Sequence, residues 1–184
     1  MPPADATRYS HPAIAFHWLL ALAITGSFSV GIYMSDLPFS PMRLKLYNWH
    51  KWAGITIMAL SAARLLWRLA RRPPAPLPMP AWQRHTAHVT HTALYLLFFA
   101  VPLSGWAYSS AAGFPVVVYG VLPLPDFVPV DRALAEWLKG THKVLTITLS
   151  LFVVGHVAGA LKHQFIDRDG LLSRMWPARF SARP

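Results

Sequence analysis

The chain has 184 residues, 54% hydrophobic and only 13% charged, with a mean hydropathy of +0.36; soluble domains are about one quarter charged, so this is the composition of a small, single-domain integral membrane protein. Cysteine is absent, which excludes thiolate-held iron–sulfur clusters, haem attached through CxxCH and any disulfide framework. The formal charge of +10 comes from basic residues interleaved with apolar runs, so membrane lipid is an expected partner and nucleic acid is not.

After a short lead containing Arg8, residues 12–34 stay apolar for long enough to cross a hydrocarbon core of about 30 Å, with His17 one turn inside. A cleaved signal peptide is the competing reading, but the run is long for an h-region and lacks a small-x-small site, so a retained span is expected. A proline-containing loop, residues 36–47, leads to a second span over 48–69, with His50 at its entrance and Arg64 toward its exit. The linker PPAPLPMP (73–80) should be an extended connector. A third span covers 87–111, with His85, His88 and His91 crowding its start.

Residues 113–140 form the longest connection. Its first half is apolar but interrupted by Pro115, Pro123, Pro125 and Pro129, too broken to span, so it should lie at the interface as a cap. A short amphipathic helix is expected around 131–139. The fourth span covers 140–164, and a basic tail follows. The expected fold class is therefore all-α, an integral membrane four-helix bundle with both termini on one side. Eleven of the 17 lysines and arginines fall on the side of the termini and six on the other, which predicts cytoplasmic termini and a multi-pass protein of a bacterial inner membrane.

His142 and His156 lie fourteen residues apart in span four, nearly four whole helical turns, so both leave one face about 21 Å apart. Ionisable side chains in apolar helices mark function by default. Either histidine alone could be a headgroup-level or hydrogen-bonded residue, but each has a counterpart at its own depth. His50 matches His142 near the outer surface. On the inner side His17 fits His156 best, and His91 is the alternative. Four histidines at two levels of a four-helix bundle describe two b-type haems, each held by two imidazoles. Gly26, Gly54, Gly155 and Gly159 supply small residues where a flat macrocycle could meet backbone, although glycines also serve bare helix packing. Zinc, the alternative for clustered histidines, prefers tetrahedral sets with thiolate help and fits less well.

FHWLLAL around His17, NWHKWAG around His50, ARLLWRL, HTALYLLFFAVPLSG and THKVLTITLSLFVVGHVAGALKHQF, in this order, resemble the bacterial cytochrome b561 family. The resemblance covers nearly the whole chain, including the closing LLSRMWP. It implies a di-haem electron carrier that exchanges electrons with ubiquinone, and its compact stand-alone members look like superoxide oxidases. Carried over, His17 and His156 match the axial ligands of the cytoplasmic-side haem, and His50 and His142 those of the periplasmic-side haem. The expected function is an oxidoreductase that oxidises superoxide to O2 on the periplasmic side and reduces ubiquinone. Larger relatives are cytochrome b anchor subunits of hydrogenases and other dehydrogenases, so a redox partner protein is the alternative donor.

Lys51 and Lys143 each follow a candidate ligand directly and could steer an anion toward it, although lysines at helix ends also snorkel to headgroups. Arg64 needs an anionic partner, for which a haem propionate or a lipid phosphate would serve. His91, His163 and Arg84 fall on the inner side, where a quinone taking two electrons must also take two protons.

Overall fold

The computed structural model describes residues 8–71 and 73–176. Four long helices account for most of them: α1 (His11–Asp36), α2 (Pro41–Ala70), α3 (Ala81–Ala111) and α4 (Arg132–Lys162). Each is long and apolar enough to cross a membrane. Large apolar side chains face outward on every helix, among them Leu22, Leu66, Leu96 and Val154. Acyl chains solvate such a surface, whereas water would not, and helices satisfy their own backbone groups as a bilayer requires.

Helix starts follow local chemistry. Ser40 caps α2 by accepting from the Arg43 amide at 3.3 Å, with Pro41 in the first turn, and Asp131 caps α4 by accepting from the Leu134 amide at 2.7 Å. Both helices therefore begin earlier than an apolar-run count suggests. His50 is not at the entrance of its helix but nine residues beyond Pro41. The short helix expected over 131–139 is the first part of α4, which runs on through Gly140. One glycine costs a helix about 1 kcal/mol, and burial of Ala135 and Leu138 against Ala107 and Ala111 of α3 offsets it. These small residues let the two backbones approach closely at that end.

Successive helices pack on one another, α1 on α2, α2 on α3 and α3 on α4, whereas neither α1 nor α2 forms a comparable seam with α4. A second cluster, Leu94, Leu97, Phe98 and Leu149, sits midway along α3 and α4, with Ile24, Val101 and Phe152 packed around it. The linker 73–80 forms neither helix nor strand, in keeping with its prolines.

The two ends of the described chain are tied together. The Tyr9 amide donates to Arg174 O (3.2 Å), Trp18 Nε1 to Met175 O (2.8 Å), Trp67 Nε1 to Ser10 Oγ (3.1 Å) and Arg174 to Ala75 O (2.8 Å). At the opposite end of the bundle the α3–α4 connection carries a small antiparallel hairpin, β1 (Val117–Val118) with β2 (Leu122–Pro123), leaning on α2.

Candidate cofactor site

The four histidines singled out above meet in two pairs at two levels. His50 of α2 faces His142 of α4 with ring centroids 6.3 Å apart, and His17 of α1 faces His156 of α4 at 6.1 Å. Two imidazoles sharing one iron stand about 6.2 Å apart between centroids, given metal–nitrogen bonds of about 2.0 Å and a ring radius of roughly 1.1 Å. Both pairs match that spacing. His91 lies nearer to His156, at 5.3 Å, too close for the two rings to share an iron from opposite sides. It is a third imidazole beside the inner pair.

At the outer pair each Nδ1 is bonded to a backbone carbonyl, His50 to Ser27 O at 3.0 Å and His142 to Val101 O at 3.1 Å. A carbonyl only accepts, so each Nδ1 carries the proton and donates it. That tautomer leaves Nε2 with its lone pair free, the arrangement that metal-ligating histidines adopt. Ser27 Oγ and Ser104 Oγ stand at 3.2 and 3.0 Å from the same two Nδ1 atoms.

The same local device builds both cradles. In a helix the carbonyl of residue i lies beside the amide of residue i+4, and in both cases that residue is glycine: Gly31 after Ser27, Gly105 after Val101. A Cβ on Gly31 would stand 3.1 Å from His50 Cε1, and one on Gly105 would stand 3.0 Å from His142 Cε1 and 3.2 Å from its Nδ1. Without a Cβ, the ring reaches a carbonyl that already serves the helix. The sequence-level choice of glycines missed both. The glycines read from the sequence as making room for a macrocycle face open space instead: a Cβ added to Gly26, Gly155 or Gly159 would meet no neighbouring atom within 4 Å, and one on Gly54 would meet only Pro102. Spacing alone could not show which glycines back onto an imidazole. The expected consequence is specific: Gly105→Ala forces the His142 ring off Val101 at an overpacking cost of about 1–3 kcal/mol. The reduced-state absorption bands of one haem should then shift or broaden, with Gly140→Ala, where a Cβ meets nothing, as the silent control.

The inner pair is set differently. Arg64 Nη2 stands 3.3 Å from His17 Nδ1, and its guanidinium lies 5.5 Å from the Tyr95 ring, which Arg68 also faces at 5.7 Å. Arg64 makes no ion pair among the described residues.

The chain from residue 8 to 178 matches the profile of the family described as prokaryotic cytochrome b561. The chain belongs to that family. This cytochrome is 38% identical over 170 residues to "Cytochrome b561 homolog 2" of Escherichia coli (strain K12), which covers 91% of this chain and 90% of that one. It is 31% identical over 179 residues to "Probable superoxide oxidase CybB" of Yersinia pestis, 94% of this chain and 97% of that one. With "Cytochrome b561 homolog 1" of E. coli it shares 29% identity over 174 residues, 94% and 98% of the two chains. The protein is accordingly a multi-pass bacterial membrane protein of electron transfer that binds b-type haem, and the ring spacings and free Nε2 atoms described above suit that group.

The remaining candidates are distributed unevenly. Lys51 turns its ammonium to the hairpin root, within 3.4 Å of Ser109 Oγ and Phe114 O and 3.2 Å of Pro115 O, so all three of its donors are engaged. Lys143 is exposed and makes no side-chain bond among the described residues. Arg84 is likewise exposed near the start of α3 with no side-chain partner among them. His163 begins a π-turn (His163–Asp167), with Nδ1 2.6 Å from Asp169 Oδ2 and 3.3 Å from Asp167 Oδ2, while Lys162 meets Asp167 at 2.5 Å. Desolvation pushes the Asp169 carboxyl up, but the Leu171 amide and His163 outweigh it and hold it below its ordinary range.

Proposed function

We propose that this cytochrome is a single-domain, two-haem relay that takes electrons from superoxide at the periplasmic face and delivers them to ubiquinone. The carrying observation is the two histidine pairs, each at the ring spacing one iron needs and one at each level of the bundle. Haem, when bound, would supply one-electron redox chemistry, and with both histidines of a pair engaged in holding it small molecules would exchange electrons with it without binding the metal. Two superoxide anions each lose one electron to give O2, and one quinone takes those two electrons and two protons.

In this reading His50 and His142 hold the periplasmic haem, with Ser27 O and Val101 O fixing both rings by their Nδ1 protons. His17 and His156 hold the cytoplasmic haem. Arg64, with no carboxylate partner among the described residues, would pair with an anionic propionate, leaving His17 able to carry its proton on Nδ1 as the outer histidines do. His91, beside the inner pair, and His163 and Arg84, at the same end of the bundle, serve the quinone and its protons. Support for superoxide comes from the 31% identical relative named a probable superoxide oxidase and from the basic residues of the loop-bearing end, of which Lys143 is free to act on an anion.

The test begins with the reduced-minus-oxidised spectrum and pyridine haemochromogen of the purified protein. Two b-haems per chain, unresponsive to carbon monoxide, support the relay, and superoxide-driven ubiquinone reduction in liposomes then tests the donor and acceptor. Haem at full occupancy with no quinone reduced by superoxide would reject that pair of substrates. Within this scheme Lys143→Gln should slow the superoxide reaction roughly two- to threefold at low ionic strength and hardly at all at high salt. An unchanged low-salt rate would remove Lys143 from the steering.

A further inference from the structure

The α3–α4 connection places its hairpin in an unusual position. Its root lies beside Lys51, whose ammonium meets the carbonyls of Phe114 and Pro115. Its tip lies beside Thr56, whose hydroxyl is 2.6 Å from Tyr119 OH, and between them Trp52 Nε1 donates to Val117 O at 2.6 Å. From Lys51 to Thr56 is five residues toward the inner end of α2, or about 7.5 Å. The hairpin therefore runs down the side of the helix instead of rising from its end. Thr56 stands midway between Pro41 and Ala70 along α2, at a level where a spanning helix is surrounded by hydrocarbon.

Tyr119 has φ +53 and Gly120 φ +75. A left-handed tyrosine is strained, and the strain is held because it directs the phenol onto α2, where the ring also packs against Trp52 at 5.6 Å. The stretch 114–124, FPVVVYGVLPL, carries no charge. Val116 and Val118 are buried against the bundle, while Val121 is 80% exposed and Phe114, Tyr119 and Leu122 each more than half. Both of its sides are thus apolar, which a loop facing water would not sustain.

Part of its backbone is paired within the chain. Val117 O accepts from Trp52 and from the Gly120 amide, Val118 O from the Val121 amide, Val116 O from the Leu124 amide, and prolines 115 and 123 have no amide to satisfy. Non-helical backbone is tolerated at membrane depth where it packs on protein, and the contacts with Lys51, Trp52 and Thr56, together with buried Val116 and Val118, seat one side of this hairpin on the bundle.

We infer that the 114–124 hairpin is a re-entrant wedge inserted into the outer leaflet, with acyl chains as the partner of its exposed face. The inference rests on the membrane fold and not on the choice of superoxide and quinone. One flank of the loop-bearing end is thereby a lipid contact and not a platform for a water-soluble redox partner.

The chain has no cysteine, so Val121→Cys creates a single thiol. Bimane-labelled protein in liposomes would be quenched by lipids carrying a nitroxide on the acyl chain and, separately, by aqueous iodide. Asp126→Cys, beyond the apolar stretch, serves as the water-side control, and Leu122→Cys repeats the measurement should the first variant fail to bind haem. The label at 121 or 122 should be quenched several-fold more by the lipid nitroxide, relative to iodide, than the label at 126. Equal iodide access at the two places would overturn the inference by putting the hairpin in water. Shielding from both quenchers would overturn it equally, because a protein surface or a second copy would then cover the face.

Discussion

On the proposed two-haem reading, replacing His142 by alanine should lower the haem content from two per chain to one. His142 belongs to the pair whose other member is His50, and the second pair, His17 with His156, lies nearly four helical turns away on the same helix. Removing one imidazole leaves His50 without an opposing ligand but touches nothing at the inner level, so the loss should be half and not total. Pyridine haemochromogen per chain measures it directly. The same measurement on His17→Ala and His91→Ala separates the two inner imidazoles. His17→Ala should halve the haem and His91→Ala should leave it at two, because only the 6.1 Å pair has the spacing that a shared iron requires. The reverse result would make His91 the partner of His156.

Arg64→Gln should lower the midpoint potential of one haem by tens of millivolts and leave the other unchanged. The guanidinium lies at the inner level beside His17 with no ion pair among the described residues, and on a haem propionate, as proposed above, it would offset that group's negative charge, so its removal lowers the potential in either position. A positive charge favours the reduced iron. At about 8 Å and an effective dielectric of about 20 it contributes roughly 2 kcal/mol, or about 90 mV, and less where solvent screens it. Spectroelectrochemical titration should show one wave displaced downward, with Arg64→Lys retaining much of the original value. Two unmoved waves would mean that the charge of Arg64 does not act on either haem. The direction bears on flow, since a higher potential at the inner level draws electrons inward from the loop-bearing face.

The depth of each histidine was legible because helical rise is constant: counting residues from His142 to His156 places two rings on one face, and antiparallel spans give each a counterpart. Less of the outer end could be read. The start of α2 is encoded in Ser40-Pro41, a capping signal that an apolar-run count passes over. Gly140 looked like a boundary, yet alanine packing between α3 and α4 outweighs the small helical cost of one glycine. The hairpin was anticipated as an interfacial cap, but its descent along α2 depends on Trp52, Thr56 and Tyr119 meeting across more than sixty residues of sequence, which no local pattern announces. Gly31 and Gly105 matter for an equally non-local reason. Their meaning lies in the carbonyl four residues earlier and in a histidine on another helix.

Each histidine pair takes one member from α4, His142 in one and His156 in the other. During synthesis α1, α2 and α3 therefore enter the membrane carrying half-sites only, and neither half-site can close around a cofactor before the last helix arrives. The ties between the Tyr9–Trp18 region and Arg174–Met175 add a later step still, since the segment that fastens the start of α1 emerges after α4. If these pairs hold the haems as proposed, biogenesis runs from polypeptide to cofactor in that order, and a chain cut short before α4 would be an inserted membrane protein with no redox centre.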